Sequence, residues 1–349
     1  MIRNPLAVSH RGGRIDALHY GSIVVTNSSG HILYSVNDPH FPTYLRSSIK
    51  MIQAIPVVTS GAADRFGFTD AELSVCCASH VGADYHVATV SGILAKIGLG
   101  EPALGCGVHE PDNRAERKRL ICSDTPPTQL HNNCSGKHAG MLAACIVMGW
   151  PVESYLEIDH PLQQWIFDLM AEYSGIAREN IGIGIDGCSL PIFYMPISGA
   201  ARLTARFMEN STDPASPDSR ILKAVVARPE MINENGGFDT ELIRAMKGRA
   251  IAKRGAMGMY LVGINSQQHG PIGIAIKLED GNMTPMPVVM MQVLESIGVL
   301  SPEEIQELEI FRTLNLKNWR GIDVGDVSAD FELVASVSSL SSSSLSGDV

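Results

Sequence analysis

The sequence predicts an α+β fold in which both ends of the chain build an antiparallel sheet and a helical lobe is inserted between them. Two observations carry this reading. Runs rich in β-branched residues appear near the N-terminus and return after Gly255. The stretch between them shows helical periods with recognisable start signals, so the terminal segments must meet in the sheet while the middle packs beside it.

In chain order, Ser22 to Thr26 and His31 to Ser35 are β-rich runs joined by Asn27-Ser28-Ser29-Gly30, a hairpin pattern. From about Tyr44 to Gly248 the pattern is helical. Thr69-Asp70-Ala71-Glu72 reads as a capping box, while His160-Pro161 and Ser216-Pro217 place proline in a first helical turn. Strands return at Met257 to Ile264 and Pro271 to Leu278 around the polar loop Asn265 to Gly270, and Ile322 to Val334 adds another. Before that last strand, Ser301-Pro302-Glu303-Glu304 starts one more helix. This layout implies one catalytic domain over residues 1–335, with a sheet lobe at about 1–40 and 250–335 and a helical lobe at about 41–249. The tail, residues 336–349, has eight serines in the eleven positions from Ser336 to Ser346 and is expected to be a mobile appendage.

Composition narrows the function. The 349 residues are 45% hydrophobic and 18% charged, the balance of an ordinary globular protein. A net charge of −10 argues against general affinity for nucleic acid or anionic membrane, which need a basic surface, and leaves a small molecule as the expected partner. No apolar run has the length of a signal peptide or a membrane span, so the expected setting is soluble and cytoplasmic. Seven cysteines, two of them adjacent at Cys76-Cys77, fit reduced thiols better than a disulfide framework.

Ser47 and Lys50 stand three residues apart at the start of an apolar helical run, a spacing that lets an amine approach a hydroxyl. Lys253-Arg254-Gly255 precedes a strand, and Ser79, in Cys77-Ala78-Ser79-His80, could stand between the two lysines or serve only as a helix C-cap. In penicillin-binding proteins and serine β-lactamases a Lys-Thr-Gly strand faces a Ser-x-x-Lys helix across the cleft. Two further segments, His131-Asn132-Asn133-Cys134-Ser135-Gly136-Lys137-His138 and Ile185-Asp186-Gly187-Cys188-Ser189, place thiols, an aspartate and a lysine at loop-to-element junctions. Their composition suits a metal site, although two cysteines 54 residues apart can also be separate buried thiols. Other polar candidates are His10-Arg11-Gly12-Gly13, Arg46, His80, His86 and Asp239, the last as a helix N-cap or a substrate contact. His86, on an apolar face, reads as structural.

Arg46-Ser47-Ser48-x-Lys50, Gln53-Ala54, Ser79-His80, the His131 to His138 segment, Gly184-x-Asp186-Gly187-Cys188, Gly237-Phe238-Asp239 and Lys253-x-Gly255-Ala256 together resemble the L-asparaginase II family, the rhizobial-type or class 3 bacterial asparaginases, from about His10 to Val334. The resemblance implies a serine β-lactamase/penicillin-binding-protein-like fold, a homodimer, and hydrolysis of L-asparagine to L-aspartate and ammonia. It also implies two Ser-Lys tandems, Ser47 with Lys50 and Ser79 with Lys253, and a zinc ion held by Cys134, Lys137 and Cys188 with Asp186 close by. Arg46, His80, Asp186 and Asp239 are the expected substrate contacts. Met51, where the family commonly has proline, and Met257, where Gly-Ala-Glu-Gly is more usual, depart from the pattern. The rival readings are a β-lactamase-like or D-alanyl peptidase hydrolase and a zinc-binding relative with little catalysis.

Overall fold

Two glycines with positive φ, Gly12 at 56° and Gly13 at 74°, turn β1 (Ala7–Arg11) back onto β2 (Arg14–His19). His10 to Gly13, read from sequence as a polar candidate, is therefore a hairpin end: only a residue tolerant of left-handed backbone closes so tight a turn. The second hairpin, β3 (Gly21–Asn27) with β4 (Ile32–Val36), is the expected one. The computed structural model describes residues 3–336. Apart from Ser336, whose N–H donates to Leu33 O at 2.9 Å, the serine-rich tail lies outside them.

Both ends of the chain do meet, but in two sheets where the sequence suggested one. After β5 (Pro42–Tyr44), β6 (Gly182–Ile185) and β7 (Pro191–Pro196), which pair as a small sheet inside the expected helical lobe, come β8 (Ala250–Arg254), β9 (Met259–Ser266), β10 (Gly270–Leu278), β11 (Leu314–Lys317), β12 (Asp323–Ala329) and β13 (Val334–Ala335). The larger sheet has the order β13-β4-β3-β10-β9-β8, and a four-stranded sheet runs β11-β12-β1-β2. All pairings are antiparallel. β5 and β6 are too brief to show a period of two, and β7 has a single exposed residue, so none of the three reads as an alternating strand.

In β3 and β9 six consecutive residues are buried, so both faces of the large sheet are covered. One face carries the helix Ile197–Asn210, whose buried stripe runs through Ala200, Leu203, Phe207 and Met208. Each such large side chain withdrawn from water contributes roughly 1.5–3 kcal/mol. The helix sits close because Gly273 offers no side chain: a Cβ there would fall 1.8 Å from Ala201 O. Helix starts follow the expected signals, with capping boxes at Thr69 and Ser301 and proline in the first turn after His160 and Ser216.

The edge strand β8 faces the helical lobe. Gly255, just past its end, abuts the carbonyl of Leu45, where an added Cβ would lie 3.0 Å from that oxygen. This contact brings the turn at Arg46–Ile49 beside the strand that carries Lys253. Among the described residues no helix is long and apolar enough to cross a membrane.

Candidate active site

Ser47 lies in a short 3-10 turn, Arg46–Ile49, and Lys50 opens the helix Lys50–Gln53 that follows; the expected apolar helical run is broken into these pieces and Ile55–Thr59. Arg46 enters the turn with φ 53°, a left-handed value that costs a non-glycine residue on the order of 1 kcal/mol or more. Such strain persists where the surroundings fix it, and here Arg46 Nε stands 2.9 Å from Asp186 Oδ1. The contact is a charge pairing, since that Nε makes no aligned hydrogen bond.

Lys50 is fully buried, and its Nζ faces Ala78 O, Ser79 Oγ at 3.1 Å, Cys134 Sγ at 3.2 Å and Asn133 O at 3.4 Å. Its hydrogen-bond partners among the described residues do not include Ser47, whose half-buried hydroxyl makes no side-chain hydrogen bond there. Lys253, also buried, reaches the same Ser79 oxygen at 2.8 Å and donates to the carbonyl of Arg254. Burial drives the pKa of both amines down, for Lys253 well below the usual lysine range. For Lys50 the neighbouring Cys134 sulfur opposes that fall; for Lys253 the carboxylate of Asp239 does.

Ser79 follows the helix Asp70–Cys76, whose C-cap is Cys77, so its hydroxyl is free of capping duty. His80 accepts the N–H of Gly82 at Nδ1, which leaves the Nε2 proton to donate to Ser135 Oγ at 2.9 Å. Burial, then His86 and Lys50, hold His80 neutral far below the ordinary histidine pKa. His86 stacks on His80 at 4.9 Å and donates from Nε2 to Glu230 O, with burial lowering its pKa to about 4. Both His80 nitrogens are engaged, and neither ring hydrogen-bonds to Ser79 among the described residues.

The Cys134 thiol donates to Asn133 Oδ1 at 3.1 Å, and Lys137 Nζ lies 3.2 Å from Cys188 Sγ. The neighbouring Cys188, then Lys50 and Lys137, hold the Cys134 thiol pKa well below its ordinary value, while Cys134 and burial push the Cys188 thiol up. Burial works against the charge of Lys137, yet Cys188, Cys134 and Asp186 outweigh it and raise its pKa. Cys134 caps the helix Ser135–Met148, and Cys188 sits in the β6–β7 turn. Among the described residues no three His, Cys, Asp or Glu side chains gather as a ligand set. A set of two cysteines and one lysine contains only two such residues, and its donors, soft sulfurs with an amine in a buried pocket, suit zinc.

Asp239 is corrected in one respect: the helix Phe238–Ala245 is capped by Gly237, and Asp239 is its second residue. Its buried carboxylate accepts the hydroxyl of Tyr260 and, at 3.3 Å, the backbone N–H of Arg254. Sequence reading missed Tyr260, Arg254 and Asn133. The first two were accessible in principle, because the tight turn at Gly255–Gly258 puts Arg254 opposite Tyr260. Asn133, whose carbonyl accepts from Lys50 and whose side chain accepts the Cys134 thiol, left no signal. Of the two departures, Met51 is buried in core, and Met257 is 59% exposed at φ 58° with its carbonyl bonded by Lys277.

The family model described as L-asparaginase II matches residues 7–329. No curated protein matches the chain. Among solved structures, that of a Bacillus glutaminase in the presence of 4.3 M NaCl aligns over 80% of this chain and 91% of its own, at 12% identity and a TM-score of 0.35.

Proposed function

The chain belongs to the L-asparaginase II family, and from that premise we propose that this amidohydrolase converts L-asparagine to L-aspartate and ammonia through a serine activated by lysine. One observation supports the mechanism most: two buried lysines from distant parts of the chain converge on Ser79 beside the turn that carries Ser47.

Ser47 attacks the side-chain amide carbon and its proton passes to neutral Lys50. The C–N bond then breaks, and the proton returned to nitrogen lets ammonia leave. Water adds to the acyl-enzyme, losing its proton to the same amine, and the ester bond to Ser47 opens to give the free acid. Ser79 and Lys253 carry protons between the amines and solvent. A neutral amine is available because burial penalises an ammonium charge at either lysine, Lys137 further disfavours charge on Lys50, and Lys50 further disfavours charge on Lys253. Backbone N–H groups at the Ser47 turn are the candidate donors to the developing oxyanion.

Cys134, Lys137 and Cys188 are the residues that would hold zinc, with Asp186 beside them, and we propose that the ion supports substrate binding. When bound, it supplies fixed positive charge and keeps the Lys137 amine deprotonated as a ligand. The protein's own part is to hold the two sulfurs and the amine together in a dry pocket and to tie Asp186 to Arg46. A homodimer and a β-lactamase-like layout belong to the same proposal.

The test is ammonia release from L-asparagine beside L-glutamine, with and without a chelator. Release from asparagine that depends on Ser47 supports the reading. No release from either amide by metal-supplemented protein overturns it, and acylation by a labelled penicillin in its place would identify a β-lactamase-like hydrolase.

A further inference from the structure

We infer that the cavity beside Lys253, with the Arg254 side chain as its cation, receives the α-carboxylate and ammonium of the amino-acid substrate; this rests on the amidohydrolase reading above. Arg46 is the guanidinium among the expected substrate contacts. Its guanidinium already faces Asp186 at 2.9 Å, so its charge is committed to holding the strained turn before Ser47.

Arg254 is differently placed. Among the described residues its guanidinium makes one hydrogen bond, from Nη2 to Asn233 Oδ1 at 3.2 Å, and no carboxylate pairs with it. It lines a cavity of about 330 Å³ with Val81, Glu234, Phe238, Asp239 and Met283. A space of that size suits a small ligand. A guanidinium with free donors meets a carboxylate in a fork geometry, and the carboxylate of Glu234 on the same wall suits an ammonium. The apolar residues Phe238 and Met283 shield the charges from water and strengthen both contacts.

Position ties this cavity to the chemistry. Lys253 and Arg254, successive in β8, point to opposite faces, so the link runs through other residues of the wall: the carboxylate of Asp239 acts on the Lys253 charge, and the N–H of Ser79 donates at 3.0 Å to the carbonyl of Ile232, next to Asn233. On this inference a substrate anchored by its α-carbon groups at Arg254 extends its short side-chain amide past Asp239 toward the serine and lysine pair. The contacts that hold the relay use only the backbone of Arg254: its carbonyl accepts from Lys253 and its N–H donates to Asp239. Truncating the side chain leaves both in place.

The experiment compares wild type with Arg254→Met, Arg254→Lys and Arg46→Met, using L-asparagine and its α-carboxamide analogue, with circular dichroism to check folding. Loss of charge-assisted bonds of this kind is expected to raise KM for asparagine on the order of 10- to 100-fold in Arg254→Met, with kcat within a few-fold of wild type. Arg254→Lys recovers part of the loss. The wild-type preference for asparagine over the α-carboxamide collapses in the methionine variant. In parallel, calorimetric titration of L-aspartate into both proteins should show binding lost with the guanidinium. An unchanged KM and unchanged aspartate affinity in folded Arg254→Met overturn the inference, as does a KM effect confined to Arg46→Met. If wild type releases no ammonia at all, the amidohydrolase reading fails, while the aspartate titration still decides whether Arg254 binds an amino acid.

Discussion

Lys253 Nζ lies 2.8 Å from Ser79 Oγ although the two residues are 174 positions apart in the chain, and Lys50 reaches the same oxygen at 3.1 Å. A hydroxyl held between two buried amines has an acceptor for its proton only when one amine is neutral. That condition makes Ser79 a proton carrier by construction, and it separates its expected behaviour from that of Ser47.

Ser47→Ala should keep the fold and lose kcat by at least about a thousandfold, as removal of a nucleophile does. Ser79→Ala should also lower kcat, but it should leave acylation of Ser47 detectable by intact-protein mass spectrometry in quenched turnover. A stable acyl adduct on Ser79, with near-normal turnover in Ser47→Ala, would move the nucleophile to Ser79.

The buried lysines fix the sign of the pH dependence. Because activity needs a neutral amine and burial depresses the pKa of Lys253, kcat/KM should rise with pH through an acid limb lying well below the ordinary lysine value of about 10.4. Stability follows the same direction. Between the depressed folded pKa and the unfolded one, the unfolded chain binds more protons, so unfolding free energy increases with pH across that window. An acid limb near 10 in the rate profile would contradict a desolvated Lys253.

Much of this site was legible in the sequence because its parts sit at element boundaries, where residue type is dictated by local geometry. Thr69, Ser216 and Ser301 announced helix starts, since a cap needs an oxygen at one defined position. Lys253-x-Gly255 was conspicuous because Gly255 must lie against the Leu45 carbonyl. The Arg46 to Asp186 pairing was not legible, nor was the direction in which Lys50 points. Both depend on how the β6–β7 turn and the Ala78–Ser79 segment pack, which no local period encodes. The split of the sheet was hidden for a related reason: β1 and β2 are short, and β2 is exposed over five of its six residues, so it shows no apolar alternation.

Cys188→Ser should release the metal. A serine hydroxyl is a poor zinc ligand at neutral pH, and it exchanges the sulfur that Lys137 faces for a smaller, harder oxygen. Elemental analysis of the purified variant should find metal lost relative to wild type, with KM for asparagine raised. Metal content equal to wild type in both Cys188→Ser and Cys134→Ser would remove the thiols from any ligand set.

Gly273→Ala tests the packing that supports the sheet behind the site. Its new methyl group would fall 1.8 Å from Ala201 O and 2.5 Å from Thr204 Oγ1, and a helix backbone cannot step aside as a side chain can. Overpacking of this kind costs typically about 1–3 kcal/mol, and more where backbone must move. Thermal unfolding should show a clear drop in Tm, and an unchanged Tm would mean that the helix Ile197–Asn210 does not lie against β10.

Asp239→Asn distinguishes a structural carboxylate from one that tunes the relay. The buried carboxylate accepts the Tyr260 hydroxyl and the Arg254 N–H, and its charge pushes the pKa of Lys253 upward against the effect of burial. Asparagine keeps one acceptor, enough for Tyr260, but turns an amide donor toward the Arg254 N–H. Leaving that donor unpaired should cost about 1–3 kcal/mol of stability. Without the negative charge, Lys253 becomes neutral at still lower pH, so the acid limb of kcat/KM should shift toward lower pH even as Tm falls. A purely structural Asp239 predicts the fall in Tm with the acid limb unmoved. Measuring both on the same protein preparation separates the two roles, because loss of folded protein scales the amplitude of the profile and leaves its midpoint where it was.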